Sequence, residues 1–263
     1  MPNAWPRRPR LVAGNWKMHK LPAEGAALAR ELVALRSADP AAAACAVAVC
    51  PPFVALAAVG EALRGSGVHL GAQNMHAETH GAYTGEVAGP MLAALGCRFV
   101  VLGHSERRHG MGETDEQVAK KLRAALRDGL TPIVCVGELL AEREGGRTTE
   151  VLVRQVTAAY AGLDAATAKS TVVAYEPVWA IGTGKVATPE QARDAHRVIR
   201  ATLDQVVGGG AGSEVAILYG GSVNANNAAS LFAEDDLDGG LVGGAALEAA
   251  GFWKIVAAAS SRP

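Results

Sequence analysis

Residues 171–185 read TVVAYEPVWAIGTGK. A run of β-branched and aromatic residues ends on one carboxylate, Glu176, and passes at once into a loop punctuated by glycine. The pattern predicts a strand with an acid at its C-terminal end. Ligands gather at that end of parallel α/β sheets, whether open or closed, so a carboxylate there is placed for chemistry rather than packing. Beyond it, Pro177 stiffens one side of the loop, while Gly182 and Gly184 loosen the other. Val178, Trp179, Ala180 and Ile181 between them form an apolar cover that can expel water from a small ligand.

Working outward, runs of the same kind fall at 11–17, 46–53, 68–74, 99–105, 131–138, 171–177, 215–222 and 239–247, eight in all. Helical patterns separate them. Thr114 with Gln117, and Thr188 with Gln191, have the T-x-x-Q spacing of a capping box, and Pro189 stands in the first helical position of the second. In that helix Ala192, Ala195, Val198, Ile199, Leu203 and Val206 recur at helical spacing and are expected to face the sheet. Arg193, Asp194, Arg197 and Arg200 are expected to face water. Gly129 reads as a helix C-cap and 208–212 as a flexible connection. Eight alternating units in 263 residues fit a closed parallel barrel with its helices outside, occupying 11–263 as one α/β domain. An open doubly wound sheet is less consistent, because polar residues end nearly every strand instead of clustering at one switch point.

Residues 1–10, MPNAWPRRPR, are basic and proline-rich and read as a disordered tail. A formal net charge of −1 argues against general nucleic-acid or anionic-membrane binding, though it leaves room for a local cationic pocket. No apolar run approaches the ~20 residues of a membrane span, and the N-terminus lacks a signal-peptide core, so a cytoplasmic protein is expected. Cys45, Cys50, Cys97 and Cys135 form no C-x-x-C pair and are expected as buried thiols.

The chemistry sits at strand ends. In AGNWKMH, Asn15 and Lys17 occupy alternate positions and can share one mouth, where a lysine calls for an anion. His104 in VVLGHSERR directly precedes a helix, whose backbone donors would favour a neutral imidazole. YGGS and LVGGA place Gly220, Gly221, Ser222, Gly243 and Gly244 on the last two strands, the place of a phosphate cradle in such a barrel. Other patterns fail in context. Gly182, Gly184 and Ala187 lack an opening βαβ unit, and Trp179 and Val186 break a P-loop match at Gly184 and Lys185. His76 and His80 have zinc-like spacing, but Ala77 stands where a glutamate is required. No metal site is expected.

Across essentially the whole chain, the motifs NWKM, AQN (with Gln73 and Asn74), GAYTGE (with Tyr83 and Glu86), GHSERR, CVGE (with Cys135 and Glu138), YEPVWAIGTGK, YGGSV and LVGGA resemble the triosephosphate isomerase family in order and spacing. The resemblance implies a (β/α)8, or TIM, barrel that interconverts dihydroxyacetone phosphate and glyceraldehyde 3-phosphate through an enediolate, in glycolysis and gluconeogenesis, with no cofactor. It implies Glu176 as base, His104 as neutral electrophile, Lys17 as cationic electrophile and Asn15 as positioning group, an acid, imidazole and closing loop long described for this very family. It also places Gly182, Ser222, Gly243 and Gly244 on the substrate phosphate, Glu106 beside Lys17, and Ser105 on Glu176 in the open state. A homodimer follows too, with loop 75–86 entering the partner and Thr84 approaching the partner's active site. His19 and Lys20, the stretch 76–80, and Ala246 depart from the family's usual residues. Two other readings compete: an isomerase of a tetrose or tetrulose phosphate with the same catalytic residues, and a catalytically silent phosphate-binding barrel.

Overall fold

A computed structural model describes residues 8–39 and 44–261. Eight strands, β1 (Leu11–Asn15), β2 (Ala46–Cys50), β3 (Val68–Ala72), β4 (Cys97–Leu102), β5 (Thr131–Val136), β6 (Val172–Tyr175), β7 (Ala216–Tyr219) and β8 (Gly239–Val242), pair in chain order and close with β8 beside β1. Every described pairing is parallel, with helices following the strands as an outer ring. Among the described residues no helix is long and apolar enough to cross a membrane.

Closure buries both faces of each strand, which is why the strand sequences are almost continuously apolar. Alternate residues fill the barrel interior, among them Leu11, Ala13, Phe99, Val101, Ile133, Cys135, Val172 and Ala174. The intervening ones, such as Val12, Val134, Val173 and Ile217, pack against the helices. The period of two carries past the strand ends. Leu11 and Ala13 are followed inward by Asn15, and Val172 and Ala174 by Glu176, so polar groups take the next interior layer at the C-terminal mouth.

The expected strands all end early. Each predicted run included its mouth residues, but these leave the ladder: β1 stops before Lys17, whose φ is 51°, and β4 before Gly103, whose φ is 67°. After β8 the chain turns into a 3₁₀ helix at Gly244–Leu247 instead of extending. Both capping boxes form, with Thr114 and Thr188 each accepting from the N–H of Gln117 and Gln191 at 3.2 Å. The glutamine side chains reach back to the threonine N–H groups at 2.8 and 3.0 Å. Gly129, with φ 77°, follows the helix Asp115–Arg127 as expected of a C-cap. All four cysteines are free and buried.

One helix face differs from expectation. On Pro189–Val206, Arg200 does not face water but is 9% exposed. It donates to the carbonyls of Gly212, Val215 and Asp236 and pairs with Asp238 at 2.7 Å. Helical periodicity counts charge as surface; here the guanidinium satisfies carbonyls and carboxylates that the barrel bottom buries. His196, read neither way, is fully buried on the same helix. Residues 1–7 of the expected tail lie outside the described residues, whereas Arg8 is held by Asp238 at 2.7 Å and Arg10 by the carbonyl of Ala259 at 3.0 Å.

Because Asp238 is 5% exposed, removing Arg200 leaves it a buried charge with, among the described residues, only Arg8 opposite. Arg200→Ala is expected to cost about 3 kcal/mol, read as a lower urea midpoint with unchanged m-value.

Candidate active site

The interior register delivers Glu176 to the mouth, and close packing fixes it there. A Cβ on Gly137, at the end of β5, would sit 1.7 Å from the Glu176 carbonyl oxygen, and one on Gly220 would sit 2.9 Å from Glu176 Cγ. Only a glycine lets the β5 end approach β6 this closely. The Glu176 N–H completes the ladder to Val136 O at 2.8 Å.

The Glu176 side chain is 2% exposed and fully engaged. One carboxylate oxygen accepts the backbone N–H of Ser105 at 2.8 Å, and the other lies 3.0 Å from His104 Nε2. Burial alone would raise this carboxyl's pKa. The charge of and hydrogen bond to His104, the Ser105 N–H and the Lys17 charge outweigh it, so the carboxyl is held below its ordinary range. Ser105 thus meets Glu176 through its backbone.

His104 caps the short helix Ser105–Gly110, and its Nδ1 accepts the N–H of Glu106 at 3.2 Å. That leaves Nε2 as the donor toward Glu176. Burial and the helix donor favour the neutral ring, but the Glu176 carboxylate beside it, with Glu106, outweighs them and raises the imidazole's pKa.

Lys17 is one of three described residues other than glycine with positive φ. Its backbone is pinned from both sides: its N–H donates to Asn15 Oδ1 at 3.0 Å, and Gln73 Nε2 donates at 2.8 Å to its carbonyl and to that of Cys50. The ammonium pairs with Glu106 at 2.6 Å. Asn15, Lys17, His104, Glu176, Gly182, Ser222, Gly243 and Gly244 all line one cavity of about 340 Å³, so strand ends and loops remote in sequence converge there. A Cβ on Gly244 would meet nothing within 4 Å, leaving that backbone open to a ligand, while Gly243 packs near the Lys17 stem. Ile181 and Leu241 add apolar walls, and Asn224 a further polar one.

Ser222 also ties the cavity to the loop over it, donating from Oγ to Ala180 O at 2.7 Å. At the start of that loop the fully buried Glu138 accepts from Tyr175 at 3.1 Å and from Trp179 Nε1 at 2.9 Å. Its own carbonyl accepts the Val178 N–H at 3.1 Å. Burial, then the neighbouring Glu138 charge, pushes the Tyr175 phenol well up, so it remains a donor. Gln73 and Glu138 lie within the matching motifs, which by themselves imply no site role for either. Gln73 had a legible signal, being polar and two residues beyond the inward-facing Gly71. Glu138 lies in the outward register, and only the packing of β5 against β6 brings it under the loop.

Thr84 stands apart from the cavity, exposed in loop 75–86 with Tyr83. His76 and His80 are engaged within that loop, His76 by the Glu78 N–H and the Tyr83 ring and His80 by Thr79.

A buried carboxylate, an imidazole N–H facing it, a cation and open glycine backbone share one cavity at the barrel mouth, a set suited to an enzyme that moves protons on a small anionic substrate. The family model for triosephosphate isomerase matches residues 10–259. The chain is 58% identical over 252 residues to the triosephosphate isomerase of Bordetella pertussis, spanning 95% of this chain and 98% of that protein. It is 54% identical over 250 residues to that of Moorella thermoacetica, spanning 95% and 98%. Against that of Solibacter usitatus the identity is 52% over 250 residues, spanning 95% and 99%. The chain belongs to the triosephosphate isomerase family and is an isomerase acting on a small phosphorylated sugar.

A carboxyl held below its unfolded value of 4.5 contributes stability that is fully present above that pH and is lost as pH falls through the lower folded value. The stability difference between wild type and Glu176→Gln, from urea unfolding, is therefore expected to shift against wild type as pH falls below about 4.5 and to be flat above it, apart from His104. A difference independent of acid would contradict the arrangement at Ser105 and His104.

Proposed function

We propose that Glu176 is the base of the triose phosphate interconversion and that His104, Lys17 and Asn15 serve the substrate's oxygens. The observation carrying this reading is the approach of the Glu176 carboxylate to His104 Nε2 at 3.0 Å inside a cavity that also holds the Lys17 ammonium and the open Gly244 backbone. Interconverting dihydroxyacetone phosphate and glyceraldehyde 3-phosphate moves one proton between adjacent carbons. Glu176 takes the proton from the carbon beside the carbonyl, and the electron pair left behind forms the enediolate. The carboxylic acid then returns a proton to the neighbouring carbon, while the hydroxyl proton leaves one oxygen and a proton is gained by the other, so that the carbonyl moves by one carbon. His104 Nε2–H and the Lys17 ammonium donate to the oxygen on which charge develops, while Asn15 orients it.

A substrate oxygen that takes the Nε2–H releases Glu176 from His104, and the departing carboxylate removes the charge that raises the imidazole's pKa. The ring then donates as a neutral group. The Lys17 charge and backbone donors at Gly182, Gly243 and Gly244, with the Ser222 hydroxyl, hold the phosphate without a metal or organic cofactor. Closure of 178–186 over it excludes water and keeps the enediolate from losing its phosphate. The setting is cytoplasmic carbon metabolism, glycolysis and gluconeogenesis.

We further read the protein as a homodimer. Met18, next in sequence to Lys17, is 93% exposed, and Tyr83 and Met111, which line one surface cavity, are 46% and 69% exposed. Large apolar side chains left exposed beside one another, as Tyr83 and Met111 are, favour a protein interface. Loop 75–86 is the segment that would enter the partner, bringing Thr84 toward the partner subunit's site. Thr84→Arg is expected to weaken the dimer in sedimentation and to lower kcat with it, because a second cation would face the partner's lysine; an intact, fully active dimer would remove Thr84 from the interface.

The decisive assay is isomerisation of glyceraldehyde 3-phosphate, coupled to glycerol-phosphate dehydrogenase, with erythrulose phosphate run in parallel. A higher kcat/KM is expected for the three-carbon substrate; preference for the four-carbon one would reassign the reaction. Glu176→Gln is expected to lose roughly 10²-fold or more in kcat while still binding phosphoglycolate, and unchanged turnover would refute it as base.

A further inference from the structure

Resting on the isomerase reading above, we infer that Arg143 is a positioning residue for the reaction, holding the N-terminal hinge of the loop through Glu138 and Trp179. Arg143 lies on the short helix Leu140–Glu144, outside the catalytic cavity. Its guanidinium reaches two groups at once. Nη1 lies 3.4 Å from a Glu138 oxygen, and Cζ lies over the Trp179 ring at 4.5 Å from its centroid. Among the described residues no other cation pairs with Glu138, whose side chain is completely buried. Asp194, which lines the same side cavity as Arg143, pairs with Arg193 instead.

Each link bears on the loop. Glu138 accepts the Trp179 indole N–H and the Tyr175 hydroxyl, so one carboxylate joins the residue before the base to the first turn of the loop. A carboxylate buried with neutral donors alone is costly, and Arg143 supplies its opposite charge. The same planar cation covers the indole face, fixing the ring that Glu138 holds by its edge. The Trp179 side chain is thereby clamped at edge and face by two residues that never meet the substrate. That clamp sets where the apolar segment begins and so where Ile181 and Gly182 lie over the cavity.

The test compares wild type with Arg143→Met, which keeps the stem but loses the charge, and Arg143→Lys, which keeps a charge without the planar stack. Isomerisation kcat and KM are measured together with inorganic phosphate released per turnover. Phosphate release reports the enediolate when it is not covered: its C–O bond to phosphate breaks, the electron pair leaves with the phosphate, and methylglyoxal remains. In a folded Arg143→Met protein, kcat is expected to fall about tenfold, the loss an ordinary cation–π contact corresponds to, with phosphate release per turnover rising several-fold. Arg143→Lys should recover part of both. Wild-type kcat with wild-type release, or a lower kcat with unchanged release, would overturn the role, because a misplaced cover must leak. If Arg143→Met does not fold, the same two readings on Arg143→Lys decide. Absence of isomerisation by wild type would instead sink the isomerase reading itself.

Discussion

A carboxylate that must be ionised, buried and movable is the demand around which this barrel is arranged. Taking Glu176 out of water disfavours its charge, and the structure offsets that with two directed donors, the Ser105 N–H at 2.8 Å and His104 Nε2 at 3.0 Å. Both come from the start of one short helix at the end of β4, so the position of the carboxylate depends on a neighbouring βα connection across the mouth.

The cation is handled by a different device. Lys17 occupies backbone space that favours glycine, and a residue held there costs roughly 1–3 kcal/mol unless its surroundings impose it. Asn15 and Gln73 do so by hydrogen-bonding the Lys17 peptide groups on either side. The strain ends β1 sharply and sends the ammonium across the mouth to Glu106. Glu106 is 55% exposed, so its pairing with Lys17 orients the lysine more than it stabilises the fold.

A third arrangement lies in the layer outside the strands. Tyr175 and Glu176 are consecutive, and strand alternation sends one outward and the other inward. The outward tyrosine meets Glu138, which in turn meets Trp179. The loop over the cavity is thus anchored to the same two strand ends that position Glu176, with Ser222 securing its other face at Ala180. Loop and carboxylate share a foundation without sharing atoms.

Much of this was legible in order of residues alone. Eight apolar runs, two capping boxes and the glycines after the last strands specify the barrel because secondary structure follows local periodicity and caps, and eight equivalent units close in only a few ways. Asn15, Glu176, His104 and Lys17 stood out because polar groups at the ends of apolar strands must find a use. The resemblance to a known family assigned their roles. Tertiary structure alone decided how far each strand runs, since Lys17 and Gly103, both at positive φ, are held by groups that sequence does not place beside them, Gln73 at Lys17 and the helical Arg108 and Val118 at Gly103. It also decided that Arg200 is buried, because a helical pattern cannot reveal the carboxylates and carbonyls waiting below it. The same limit concealed Glu138: its partners lie 37 and 41 residues away in sequence, and only closure of β5 against β6 brings them within hydrogen-bonding distance.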